Sequence, residues 1–141
     1  MTTIVKNSIN PTSVITAFNN HFFEFVEAVH DAFPNSKDVL ITKNTFLAAR
    51  KANPKLIVKI FKKYVVAKYR TPIESDDFNY FLEKDYSLDV QTYSHSEKVT
   101  QAIDRLREPI KEMNDEDKLK ALKYMQNLIK ISDLCEINLN N

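Results

Sequence analysis

The sequence predicts an all-α, single-domain bundle of five or six helices. Three observations support this prediction. The 141-residue chain has no glycine, and tight β-hairpin turns depend on glycine for positive φ angles. Apolar residues recur at steps of three and four along most of the chain, which is the spacing of one helix face. Capping side chains stand at the start of these apolar runs.

The first two predicted helices begin at clear caps. Asn10-Pro11 opens the first helix, because proline suits the first helical position, and "FPNS" ends it. Ser36 caps a second helix over "KDVLITKNTFLAARKA", with Leu40, Phe46 and Leu47 expected to face inward, although "VLIT" would also suit a short strand. The apolar face of the first helix consists of Ile15, Phe18, Phe22, Phe25, Val29 and Phe33.

The middle of the chain predicts one long helix and one short helix. Asn53-Pro54 repeats the start signal, and "NPKLIVKIFKKYVVAKYR" reads as the third helix. "RTPIESDD" is expected to be a loop. Ser75 is expected to cap a short helix around "DFNYFLEKDY", and "SLDVQTY" to be irregular.

Two further helices complete the predicted bundle. Ser94 and Glu97 have the spacing of a capping box. Pro109 lies inside the apolar pattern that follows and should kink or break that helix. Asn114 caps the last helix. Residues 1–141 are therefore expected to form one helical domain, with 1–9 and 136–141 frayed.

The composition excludes several functional classes. Without glycine there is no Gly-rich dinucleotide fingerprint, no Walker-type phosphate loop and no nucleophile elbow. Cys135 is the only cysteine, so no intramolecular disulfide framework exists and a reducing compartment is favoured. The N-terminal stretch lacks the apolar core of a signal peptide, and no stretch has the length of a membrane span. We expect a soluble intracellular protein.

Charge is segregated along the chain. Residues 39–73 hold nine basic residues and no acid, whereas residues 74–97 hold seven acids against one lysine. On a helical wheel, Lys55, Lys59, Lys62 and Lys63 fall within one arc of roughly 100°. The candidate binding residues for a partner or a nucleic acid are Arg50, Lys51, Lys55, Lys59, Lys62, Lys63, Lys68 and Arg70.

Three interpretations compete for this basic surface. It can be a solvated helix face that is balanced by the acidic segment 74–97, as charge runs usually are solvated. It can be a sequence-independent footprint for the phosphates of a nucleic acid. It can also be a docking surface for an acidic protein partner, because complementary charge speeds encounter. A membrane surface is disfavoured, since the aromatic face is better used as core.

Two patterns resemble reactive sites without meeting the requirements of one. Glu27 and His30 have the E-x-x-H spacing of di-iron bundles, but no second E-x-x-H motif exists. Cys135 lies between Asp133 and Glu136, and neighbouring acids raise the pKa of a thiol, so a small hydrophobe near a helix end is favoured over a nucleophile. We therefore predict no catalytic residue, no metal site and no cofactor.

Phe23 follows Phe22 directly in the aromatic first helix. Neighbouring residues on a helix point about 100° apart. Phe23 therefore indicates either an unusually wide buried face or a contact with a second copy of the chain, that is, a homo-oligomer.

Three segments carry a resemblance to a known family: "FNNHFFEFVEAVHDAFPNSKDVLITKNTFLAARKANPKLIVKIFKKYV", "FNYFLEKDY" and "IDRLREPIKEM". Over residues 18–134 the chain resembles a family of small helical proteins from large nucleocytoplasmic DNA viruses of algae and protists. That family has no established activity, so no functional residue is carried over. The resemblance implies a setting in the cytoplasm of an infected host cell or in a virion.

The sequence thus predicts a non-enzymatic interaction or structural protein, as a viral accessory or virion-associated component. The alternative is sequence-non-specific nucleic-acid binding through the lysine face of residues 50–70. An enzyme of unrecognised type is the second alternative.

Overall fold

The computed structural model describes residues 10–83 and 94–137. These residues form six helices and no strand, so the prediction of an all-α, single-domain bundle is confirmed. The helices are α1 (Pro11–Ala32), α2 (Lys37–Ala52), α3 (Leu56–Ile60, Phe61–Val66 and Ala67–Glu74 in direct succession), α4 (Phe78–Leu82), α5 (His95–Lys111) and α6 (Asp115–Leu134).

Four helices begin at the predicted capping side chains. The Asn10 side chain accepts from the backbone N–H of Thr12 at 2.8 Å. Ser36, Ser94 and Asn114 each accept from the backbone N–H three residues on. Each such cap contributes about 1 kcal/mol, and together they fix where α1, α2, α5 and α6 start.

The third helix, α3, contains a π-helical turn. Its middle part, Phe61–Val66, has the wider i to i+5 pattern, and the N–H of Ala67 donates to the carbonyl oxygen of Lys62. The helix starts at Leu56 rather than at Asn53, whose side chain instead accepts from the N–H of Lys55 at 3.0 Å. A π turn inserts an extra residue into the helix, and such turns are frequent at functional sites.

The predicted loop "RTPIESDD" is wrong in its first half. The helix α3 continues to Glu74 with Pro72 in its last turns. Ser75 ends α3 rather than capping α4, and its hydroxyl donates to the carbonyl oxygen of Thr71 at 2.7 Å. Asp76 then takes a positive φ of 62°, a conformation that Asp tolerates better than most non-glycine residues.

The predicted inward face of α2 is correct only at Phe46. Leu40 and Leu47 are exposed, and "VLIT" is helical rather than a strand. The buried face is shifted by about a quarter of a turn. It consists of Val39, Thr42, Phe46 and Ala49.

The last two helices differ from the prediction at their ends. Pro109 lies in the last turn of α5, which continues to Lys111 before the chain turns. Ile137, in the segment 136–141 that is expected to fray, packs half-buried against the core. The remaining positions expected to fray, 1–9 and 138–141, and the segment "SLDVQTY" lie outside the described residues.

The core is built from the aromatic face of α1, from α3 and from the last two helices. Phe22 meets Phe46 of α2 edge-on at 4.8 Å between ring centroids, and Phe18 meets Phe61 of α3 at 5.3 Å. The helix α1 packs mainly on α6, and α2 packs mainly on α5. The outer side of α2 is left at the surface, whereas α3 begins with the buried residues Leu56, Ile57 and Val58.

Candidate interaction surface

The eight basic candidate residues lie along the end of α2 and the length of α3. We call them the basic segment. The connecting turn lies against the first half of α1, because Asn19 donates to the carbonyl oxygen of Pro54 at 2.9 Å. Arg50 also reaches α1, where its guanidinium donates to the Asn20 side chain at 2.9 Å.

Four lysines of the basic segment make no ion pair, no side-chain hydrogen bond and no ring contact within the described ranges, whereas Lys62 and Lys68 lack only the ion pair. Lys51, Lys55 and Lys63 are exposed and Lys59 is half-buried. They recur every four residues, and we call them the lysine row. No acid lies near them in sequence, because residues 39–73 have none, and residues 11–23 of α1, on which the connecting turn lies, have none either. The positive potential of the lysine row is therefore not offset by its neighbours in sequence or by the first half of α1.

Two other members of the basic segment hold the end of α6. The Lys62 ammonium donates to the carbonyl oxygen of Cys135 at 2.7 Å, which places a cation at the negative end of that helix. Arg70 makes two hydrogen bonds to Asp133, at 2.6 and 3.0 Å, and one to Glu74 at 3.2 Å. The Arg70 guanidinium holds the pKa of Asp133 below its usual range. These two side chains serve the fold.

The remaining two basic residues lie over aromatic rings. The Arg50 guanidinium is 5.4 Å from the ring centre of Phe23, and the Lys68 ammonium is 4.8 Å from that of Tyr64. Phe23 is half-buried, and it packs against the core. Of the two interpretations of Phe23, a wide buried face is the one that these contacts favour.

The acidic segment 74–97 reaches the basic segment at one described point, the contact between Glu74 and Arg70. Glu83 lies 4.0 Å from Lys111 of α5 instead. Asp85 and Asp89 lie outside the described residues. Within the described ranges, the stronger partner of Arg70 is Asp133, which no local charge pattern would have indicated.

A buried ion pair stands behind the π turn of α3. Arg107 of α5 is fully buried and paired with Asp104 one turn earlier. Its Nε donates to the backbone carbonyl oxygen of Phe81 at 2.9 Å. The guanidinium also lies over the Phe81 ring, 4.4 Å from the ring centre. The Tyr64 hydroxyl donates to Asp104 at 2.5 Å. We call Tyr64, Asp104 and Arg107 the polar network; it ties α3, α4 and α5 together.

The polar network was missed by sequence reasoning, although a signal for it exists. Arg107 occupies an inward position, four residues after Ile103 and three before Ile110, with Asp104 at the spacing of an intrahelical ion pair. A charged residue on an apolar helix face with an opposite charge one turn away indicates a buried pair. The network faces packed rings rather than a cavity, which makes it structural.

Burial raises the pKa of Tyr64 to about 12, and the hydrogen bond to Asp104 adds to this effect. The folded state therefore keeps a proton that the unfolded state loses above pH 10.0, so the free energy of unfolding should fall as pH rises from about 10 to about 12. The variant Tyr64→Phe should show a shallower fall over that range in urea unfolding. An equal slope in both proteins would contradict the contribution of Tyr64.

Burial likewise raises the pKa of the Asp104 carboxyl, while the Tyr64 hydrogen bond and the Arg107 charge oppose that rise. Burial also raises the pKa of the Cys135 thiol, in the direction that the sequence predicted but for a different cause. Cys135 caps the end of α6 as a buried small residue. A protonated buried thiol is a poor nucleophile.

Metal-ligating side chains are dispersed. No group of three His, Cys, Asp or Glu residues in the described ranges is placed to hold a metal ion. Glu27 of the E-x-x-H spacing pairs with Lys43 of α2. His21, which is not part of that spacing, packs on the Tyr124 ring with 5.1 Å between the ring centroids.

Two shallow grooves lie away from the basic segment. One, of about 390 Å³, runs between the start of α2 and the end of α5 and is lined by Asp38, Arg105, Glu108 and Glu112 among apolar residues. The other, of about 290 Å³, lies between α1 and α6. Neither lining contains a histidine or a cysteine, so neither brings a nucleophile together with an imidazole base.

None of the helices in the described part of the chain has both the length and the hydropathy needed to span a bilayer. Comparison with known protein families, with curated proteins and with solved structures finds no match. The surface chemistry of the chain itself therefore carries the functional argument.

Proposed function

We propose that this protein is a non-enzymatic interaction module that binds an acidic protein partner through the lysine row. The supporting observation is that Lys51, Lys55, Lys59 and Lys63 form no ion pair with a described acid and lie in the acid-free stretch 39–73. Charges left uncompensated by their own fold attract opposite charge and speed encounter with a complementary surface.

The state of the arginines favours a protein partner over a nucleic acid. Nucleic-acid recognition draws on the planar fork of arginine for phosphates and guanines. Here Arg50 is engaged with α1, and Arg70 with Asp133 and Glu74. What remains is a set of separated point charges.

Nucleic-acid binding is the second candidate, supported by the same four lysines. If all four contact phosphates of duplex DNA, log affinity should fall with log salt at a slope of about −3.6. Proteins that bind single-stranded nucleic acid stack its bases on exposed aromatic side chains. Tyr64 and Tyr69, which lie among the basic residues in sequence, are packed into the protein instead.

Fluorescence anisotropy with two probes, polyglutamate and duplex DNA, separates the candidates across a salt series. We expect polyglutamate to bind at low salt and to bind more tightly than DNA. The variant Lys59→Glu/Lys63→Glu should lose this binding while staying folded. Its matched control is Lys123→Glu/Lys130→Glu, which reverses two exposed lysines of α6.

Each result of this experiment has a defined meaning. Tighter DNA binding with the slope of about −3.6 would replace the first candidate with the second. Failure of both probes to bind at low salt would contradict both. Turnover of a small substrate that is lost on one point substitution would contradict a non-enzymatic role.

We further propose the setting that the family resemblance implies, namely the cytoplasm of an infected host cell or a virion. An acidic assembly partner or DNA is available in either place. Mass spectrometry of purified virions and of infected-cell fractions, with this chain quantified in each, tests the setting. Absence of the chain from both would contradict it.

A further inference from the structure

The outer face of α2 exposes large apolar side chains. Leu40, Ile41 and Leu47 are 44%, 56% and 45% exposed, and they are half of the six large apolar residues exposed in the described ranges. Leu40 and Leu47 are seven residues apart, as are Ile41 and Ala48, so each pair lines up along the helix. Single exposed apolar residues are ordinary, but here three large ones lie on the same outward side of one helix.

The inner face of α2 is apolar as well, where Val39, Phe46 and Ala49 are buried in the core. A surface helix normally carries one apolar stripe, which faces the core, with polar residues opposite; α2 carries large apolar residues on both sides. This also explains why the sequence pattern pointed to the wrong inward residues: both faces of α2 carry the signal of a buried face. The composition of α2 therefore fits a helix whose second side is covered by another molecule.

The polar residues of the outer face are mainly cationic. Lys37, Asn44 and Lys51 are exposed and follow one another every seven residues, between the two apolar pairs. Asp38, in the first turn, is the only acid of α2. Lys51 also belongs to the lysine row, so the two surfaces share one residue. A molecule that covers this face must place carboxylates opposite the lysines, because like charges that face each other weaken binding.

A second copy of α2 fits this face poorly. In an antiparallel pair centred on Asn44, Lys37 of each copy would face Lys51 of the other, and in a parallel pair each lysine would face its own counterpart. A helix fits better than a strand, because rows of side chains four apart interdigitate with those of another helix.

We propose that the outer face of α2 docks an acidic amphipathic helix of a partner protein. Its apolar side chains pack on Leu40, Ile41 and Leu47, and its carboxylates face Lys37 and Lys51. This inference rests on the proposed function, in that the partner is an acidic protein, and it adds the contact face and the form of the partner. It is a helix-on-helix form of peptide recognition, with apolar anchors at i, i+3, i+4 and i+7.

A displayed library of helical peptides as long as α2 (16 residues) tests the inference. Leucine is held at the i, i+3, i+4 and i+7 positions, and the remaining positions are randomised among Glu, Lys and Gln. Selection on the full chain should enrich glutamate. Enrichment of neutral or lysine-rich peptides, or no enrichment at all, would overturn the proposal.

Matched variants locate the binding face for the enriched peptide. The triple variant Leu40→Gln, Ile41→Gln, Leu47→Gln should raise Kd about tenfold or more and stay folded, because glutamine is a good helix former. Its control is Leu119→Gln/Leu134→Gln, which removes leucines that are 52% and 59% exposed on α6. The control should change Kd by less than about twofold. Equal effects of the two variants would overturn the proposal.

The outcome for the charges distinguishes this inference from the proposed function. Lys37→Glu/Lys51→Glu should weaken the peptide about tenfold, with Lys123→Glu/Lys130→Glu as control. If polyglutamate binds the lysine row while no peptide is enriched, the function stands and the helix-docking inference fails. If neither binds, both fail. Peptide-free dimerisation that the triple Gln variant abolishes would replace the partner helix with a second copy of the chain.

Discussion

Replacing Arg107 with methionine should lower the free energy of unfolding by about 3–5 kcal/mol. The substitution leaves the Asp104 carboxylate buried without its cation and removes the donor to the Phe81 carbonyl oxygen. The loss is a large part of the roughly 5–15 kcal/mol that holds a domain of this kind together. Urea unfolding followed by circular dichroism measures it. Arg105→Met, a half-buried arginine on the same helix, should cost less than about 1 kcal/mol.

Two further results identify the buried charge as the cause. The double variant Arg107→Met/Asp104→Leu should regain at least half of the loss, since removing both charges of a buried pair costs less than removing one. In the single variant, burial raises the pKa of Asp104 with no guanidinium to oppose it. The folded state then holds a proton more tightly than the unfolded state, so the defect should be smaller at acidic pH than at neutral pH. A loss below about 1 kcal/mol, or one independent of pH, would contradict the account.

Replacing Phe22 with alanine should cost about 3–5 kcal/mol. Phe22 is buried, contacts the rings of Phe18 and Phe46, and borders a small apolar cavity at the centre of the bundle. Losing the ring enlarges that cavity, and the packed helices relax into it only partly. Thermal and urea unfolding measure the loss.

A ligand that fills the space tests this explanation. An enlarged apolar cavity stays dry and accepts a small apolar molecule, so benzene should raise the Tm of Phe22→Ala more than that of the wild-type protein. Tyr80→Ala, at a half-exposed aromatic residue of α4, should cost about 1 kcal/mol or less and show no benzene effect. Equal responses of the two variants would contradict cavity formation at Phe22.

Local signals predicted most of the fold. Four helix starts depend on a capping side chain and the next three residues, and all four were found where Asn10, Ser36, Ser94 and Asn114 indicate. The absence of glycine and the recurrence of apolar residues at intervals of three and four predicted the all-α class. The missed boundary between α3 and α4 has a physical reason: Pro72 lies in the last turns of α3, and its missing N–H does not end the helix there.

Other features depend on contacts that sequence spacing does not encode. Arg70 and Asp133 are 63 residues apart, and Lys62 and Cys135 are 73 residues apart. The sequence therefore shows that the basic residues cluster. It does not show which of them are bound to groups at the end of α6. The π turn of α3 was also invisible, because its residues fit an ordinary helix.

The inward face of α2 was mispredicted for a reason that bears on function. Its apolar residues are spread over both faces, so periodicity gave no single answer at Leu40 and Leu47. Consistency between pattern and packing is the rule for stable domains, and departures from it collect at functional sites. The departure in α2 coincides with the surface that we infer to be an interface.

Titrating isotope-labelled protein with an acidic amphipathic helical peptide, followed by amide chemical shifts, tests the central claim most directly. The account predicts that the shifted amides lie on α2 and the first turns of α3, with Leu40, Ile41, Leu47 and Lys51 at their centre. It also predicts that the lysine-for-glutamate version of the same peptide leaves the spectrum unchanged. Shifts centred on the grooves beside α5 or α6, or an equal response to the basic peptide, would contradict it.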